Sequence, residues 1–161
     1  MKLQQQPQGS LLIEVMVSIA IALMFTLTIG TLVTANSSTL NASRKQAQAT
    51  AIAKNSMEQL FAAKHQSWET IALLSPGYVS IEQQEDAYAV VQDTGTPPGE
   101  QIDGIFQRNI EIQKAYRDET GNLADEGTED QKTRKIIVTV SWDDSSQARV
   151  ITLTAYVTNW K

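Results

Sequence analysis

The side chain most in need of a chemical explanation here is a carboxylate set inside an apolar run. Glu14 is the only charge in residues 11–33, LLIEVMVSIAIALMFTLTIGTLV. Elsewhere the usual reactive groups are scarce. The 161 residues include no Cys and a single His, His65. Thiolate chemistry, disulfides, Cys-ligated zinc and any two-His metal motif are therefore excluded. No glycine-rich phosphate loop, G-x-S-x-G or H-E-x-x-H occurs. His65 falls near the end of an expected helix, where a cation or polar group suits the helix dipole. Asp143-Asp144 reads as part of a turn, and adjacent turn residues do not converge on one substrate. An enzyme is the least favoured class, with no catalytic residue, no cofactor and no metal expected.

A carboxylate within a membrane span costs about 2.5–3.5 kcal/mol at the helix centre and less near an end. Such a group calls for a partner. No Lys or Arg lies between Lys2 and Arg44, so a basic partner comes from another chain or is made by processing. The plainer alternative is that Glu14 snorkels to the interface. As a helix, residues 11–33 extend about 35 Å, enough for a bilayer core of about 30 Å. The run is longer than the apolar core of a cleaved secretory signal, about 7–15 residues. A secretory reading keeps one point in its favour: Val33-Thr34-Ala35 offers small residues before Asn36. On that reading the chain is a signal-anchored or secreted binding module and Glu14 is incidental.

The residues before the run are polar, with Lys2 positive and Pro7 blocking helix propagation. Then comes Gly9-Ser10-Leu11-Leu12-Ile13-Glu14-Val15. This stretch resembles the leader junction of type IV pilins and type II secretion pseudopilins. The resemblance implies a leader of residues 1–9, cut after Gly9 by a membrane-embedded prepilin peptidase that also N-methylates the new amine of Ser10. It implies that Glu14 serves assembly, meeting the freed ammonium of a neighbouring subunit. The usual Phe is Ser here, and the Pro found in the first helix of many major pilins is absent. Residues 10–35 become a transmembrane and assembly helix, and 36–161 a globular domain outside the cytoplasm. That orientation follows from the resemblance, since positive-inside counting does not settle it: Arg44, Lys45, Lys54 and Lys64 lie beyond the span. The implied partners are prepilin peptidase, other pilin subunits, the pilus assembly platform and, before assembly, inner-membrane lipid. The end of the chain, Val138 to Trp142 and Thr152 to Trp160, more loosely resembles PilV-type minor pilins. A pseudopilin of the I type in type II secretion shares the whole design.

The rest of the chain must hold this segment. With no Pro between Pro7 and Pro76, one helix from about Ser10 to about Gln66 is allowed. Ala49, Ile52, Ala53, Met57, Leu60 and Phe61 fall on one helical face and read as core against a sheet. Residues 67–74 read as one or two further helical turns before Pro76-Gly77. Tyr78–Ile81 reads as a short strand, residues 94–99 as loop, and 106–116 as a strand interrupted by the polar Arg108. Ile136–Trp142 and Val150–Val157 read as an antiparallel hairpin. The simplest sheet is a meander of three or four strands, and the class is α+β: a long N-terminal helix packed on a small antiparallel sheet. Trp68, Trp142 and Trp160 are expected as core or sheet-face anchors.

Charge is uneven. The chain carries 13 basic and 18 acidic groups, net −5, and only Lys2 and Glu14 precede Arg44. The acids crowd into 82–130. Arg117–Arg134 reads as a solvated acid-rich loop; calcium is the sharper alternative, but Leu123 stands where an EF-hand needs its turn Gly. Such an acidic body does not favour direct nucleic-acid contact. Lys132, Arg134, Lys135, Arg149 and Lys161 make only a small basic cluster.

Overall fold

A computed structural model describes residues 8–84, 87–95, 98–144 and 147–159, with the side chains of 8–11 and 31–38 outside the description. The chain is α+β. It divides into two compact units, residues up to Arg44 and residues 45–161. Helix α1 runs Gln8–Gln66 and α2 Glu69–Ala72. Seven strands follow: β1 Gly77–Gln84, β2 Ala87–Gln92, β3 Glu100–Ile102, β4 Phe106–Arg117, β5 Leu123–Ala124, β6 Thr128–Asp144 and β7 Gln147–Thr158. They form one antiparallel sheet in the order β2-β1-β4-β6-β7, with β3 and β5 each pairing β4.

The sheet is larger than the meander expected from the sequence. β2, AYAVVQ, carries no alternation to mark it, because its apolar residues run together, and it pairs β1 from Val79↔Gln92 to Gln84↔Ala87. The acid-rich stretch is not a plain loop either. β5 and the first turn of pairing on β6 occupy it, through Tyr116↔Ala124 and Tyr116↔Glu129. Gly127 makes that return possible: at φ +141°, a Cβ there would meet the Arg117 carbonyl O at 2.2 Å.

Period-two alternation sets the inner face of the sheet. Phe106, Ile110 and Ile112 of β4 lie opposite Trp142, Val138 and Ile136 of β6, and all six are buried. Val79, Val90 and Val157 extend this face across β1, β2 and β7. From α1, Ala49, Ala53, Met57, Leu60 and Ala63 belong to the same hydrophobic cluster, with Ile52 half-buried against it. Phe61 departs from its expected place: it is 36% exposed, while Ala63 and Ser56 take core positions. A helix 3.6 residues per turn carries residue 61 about 100° past Leu60 and out of the stripe.

The polar interruption at Arg108 is part of this core. It shares the inner face with Ile110 and keeps only 12% of its side chain exposed. Its guanidinium donates to Ser56 Oγ of α1 at 3.0 Å and pairs with the Glu100 carboxylate on β3. Ser56 in turn donates to Ile52 O at 2.8 Å. Thus a charge that would be costly inside an apolar layer is satisfied from both sides. Trp142 packs on Phe106 with ring centroids 6.0 Å apart, and Trp68 is half-buried against the cluster. Trp160 lies outside the described residues.

Candidate functional site

The first unit presents an apolar surface that nothing within the described chain covers. Leu12–Gly30 is a helix long and apolar enough to cross a membrane, with mean hydropathy 2.3 and none of it buried. Leu12, Ile13, Val17, Leu23, Phe25 and Leu27 are all more than half exposed. Soluble monomers rarely show contiguous apolar patches beyond a few hundred Å². Three hydroxyls of the segment bond to its own backbone. Ser18 Oγ donates to Glu14 O, Thr26 Oγ1 to Ala22 O and Thr28 Oγ1 to Met24 O, at 2.7–2.8 Å. Hydroxyls satisfied within their own helix suit surroundings without water.

Glu14 stands on this surface, exposed, in the second turn of the described helix. Among the described residues no ion pair reaches it. The backbone of Gly9 and Ser10 lies in the first turn of α1. Their side chains, and residues 1–7, lie outside the description, as do the side chains of Val33-Thr34-Ala35. One helical face therefore offers a carboxylate with an apolar surround, four residues beyond the junction Gly9-Ser10.

The acid-rich stretch is organised by hydrogen bonds and ion pairs among its own residues and its flanks. Among the described residues no group of three or more His, Asp or Glu could hold a metal. Asp118 closes a turn by accepting from Thr120 Oγ1, Thr120 N and Asn122 N. The Thr120 hydroxyl first, then the Asn122 amide, hold its carboxyl below the ordinary value. Asp130 does more. Residues 130–133 of β6 are set aside from the β4 ladder, which jumps from Lys114↔Arg134 to Tyr116↔Glu129. Asp130 fills that break: it accepts from Thr133 Oγ1, Arg117 Nε and Lys132 N. The Thr133 hydroxyl is the largest cause of its lowered carboxyl pKa, with Arg117 next. Thr133, wholly buried, also shares a 3.0 Å hydrogen bond with Thr158. No simple sequence signal marked this role, although the D-x-x-T spacing of a local side-chain turn is present. Lys114–Glu129 at 2.8 Å and Lys135–Asp125 at 3.0 Å tie the flanks, and each carboxylate raises its lysine's pKa.

Two members of the small basic cluster are likewise engaged. Lys135 is paired as above, and Arg134 donates to Ala72 O of α2 at 3.2 Å. Lys161 lies outside the described residues. His65, exposed in the last turn of α1 beside Lys64, borders an open depression of about 710 Å³ with Trp68, Glu69 and Asn159. Comparison of the chain with family models, curated proteins and solved structures yields no match.

Proposed function

We propose that the chain is a minor type IV pilin, a structural subunit and not an enzyme. Prepilin peptidase cuts it after Gly9 and N-methylates Ser10. The first half of α1 then spans the inner membrane, the second half lies on the sheet, and residues 36–161 stand outside the cytoplasm. From there the assembly platform passes the subunit to other pilins in the pilus, at the cell surface.

The observation that carries this reading is Glu14: a carboxylate on an uncovered apolar helix, with no Lys or Arg between Lys2 and Arg44, four residues beyond a Gly-Ser junction. Cleavage after Gly9 frees an ammonium at Ser10. In a helical stack, one subunit's Glu14 meets a neighbour's Ser10 amine, and two charges otherwise stranded in apolar surroundings neutralise each other. The same carboxylate is a cost in the lone chain and a register device in the assembly.

The mass of the mature N-terminus in the host tests this. The expected species begins at N-methylated Ser10, and Gly9→Val leaves a full-length membrane precursor. A mature chain beginning at Asn36 establishes the secretory reading and sinks the pilin one.

A further inference from the structure

The sheet ends at β7, and the direction of each of its main-chain groups can be derived. β7 pairs β6 in unbroken register from Thr133↔Thr158 to Asp144↔Gln147. One step past that ladder, Asn159 N donates to Lys132 O at 2.9 Å. Hydrogen-bonded and non-bonded positions alternate along an antiparallel pair. Asn159 and, by steps of two, Val157, Ala155, Leu153, Ile151 and Arg149 therefore bond towards β6. The N–H and C=O groups of Ala148, Val150, Thr152, Thr154, Tyr156 and Thr158 point the other way. Among the described residues no backbone group accepts from or donates to that side.

Edges of this kind are normally blunted by short length, charge, proline or a bulge. Apart from a single charge, β7 has none of these. It is 12 residues long, about 40 Å, has no proline, and keeps its register throughout. Its one charge is Arg149, exposed near its start, with no carboxylate paired to it among the described residues. Val150 is 62% exposed. The opposite edge, β2, has only six residues.

We propose that β7 is a docking edge for an extended segment of a different subunit, added as a further strand. The segment that fits is uncharged and β-branched opposite Val150–Tyr156, with a carboxylate at the end that meets Arg149. Main-chain bonds to the six outward residues supply affinity, and the side chains and the single charge set register. This rests on the pilin reading, which also argues against pairing of β7 with the β7 of a second copy. Antiparallel β7–β7 pairing keeps paired side chains on one face, so its two-fold axis is normal to the sheet. That axis sends residues 45–66 of the two copies in opposite directions, whereas copies anchored in one membrane share a direction of approach.

The test uses the full chain in its host. Thr152→Pro with Thr154→Pro removes two outward N–H groups and no β6–β7 bond, as proline on an edge strand allows. Leu153→Pro, which breaks a β6–β7 bond, is the destabilised control. The double variant should keep its unfolding midpoint in detergent yet fall about tenfold or more in sheared pili. Wild-type content with these two central donors gone overturns the proposal. Amide exchange gives a reading independent of filaments. The six outward amides should exchange at least about tenfold more slowly in host envelopes than in the purified chain. Equal rates overturn the proposal even if the chain is found in pili. Absence from pili with protection in envelopes sinks the pilin reading and leaves the edge assigned. Because the chain has no Cys, Val150→Cys with Tyr156→Cys reports self-pairing without ambiguity. A disulfide-linked dimer in envelopes overturns the different-subunit assignment.

Discussion

Leu23 and Leu60 belong to one helix, yet Leu23 is 59% exposed and Leu60 wholly buried. Their propensities are identical, so the difference lies in what faces them. Around Leu60 the sheet supplies Ile110, Val138 and their neighbours in one cluster. Around Leu23 the described chain supplies nothing. The two units thus place the same chemistry under different accounts of stability. In residues 45–161, apolar burial is internal and contributes to folding. In residues 12–30 nothing within the described chain covers the apolar side chains, so on the reading proposed above they should govern location and assembly, with little bearing on the fold.

The strongest way to break this comparison is Glu14→Val. Insertion and cleavage should survive, with insertion improved by up to about 3 kcal/mol. If Glu14 pairs a buried ammonium, its loss leaves one charge unpaired at a cost of about 3–5 kcal/mol, cutting incorporation more than about a hundredfold near equilibrium. Glu14→Gln should do nearly as badly. Comparing this subunit in sheared and membrane fractions reads the effect; equal filament content with intact processing refutes the pairing.

A matched pair of truncations sharpens the contrast. Ile110→Ala should lower the unfolding free energy of the body by about 2–5 kcal/mol. Leu23→Ala should change it by less than about 0.5 kcal/mol. Urea unfolding in one detergent measures both, and similar losses would erase the distinction between the units.

Ser56→Ala is expected to cost about 1.5–3 kcal/mol, the range for a hydrogen bond to a charged group, because it strips Arg108 of its partner on α1. Restoration by Ser56→Thr, measured the same way, would separate the bond from simple packing.

The smallest effect is in the acid-rich hairpin. Asp130 and Asp118 have carboxyl pKa values lowered from 3.8. Their contribution is present above that unfolded value and disappears as pH falls through the lower folded one. Amides of 117–134 should lose exchange protection below about pH 3.8 before the inner face of β4 and β6 does. Asp130→Asn should remove most of that pH dependence.

Much of this was legible in the sequence because two periodicities carry it. The absence of proline from 8 to 75 and the Ala49–Ala53–Met57–Leu60 stripe specify the helix, and strict alternation at 136–142 specifies β6. Glu14 was legible as an isolated charge. What escaped depends on tertiary partners. β2 has no alternation to mark it. Phe61 fits the stripe by type but lies beyond its edge. Asp130 looks like one more solvated acid until β6 departs from β4 beside it. Arg108 reads as a flaw in a strand until Ser56 and Glu100 are brought to it.

That last arrangement also acts as a notch. A face of alanines, Met57 and Leu60 is smooth, and methyl groups alone would let a helix slide along the sheet at little penalty. One turn of slip is about 5.4 Å, which would leave the guanidinium of Arg108 against hydrocarbon. Ser56 is the sole buried hydroxyl of α1 among the described residues, so one axial setting and one rotation of the helix satisfy it. A single polar tooth therefore gives an otherwise lubricated contact its detent, and tension along α1 would meet resistance there first.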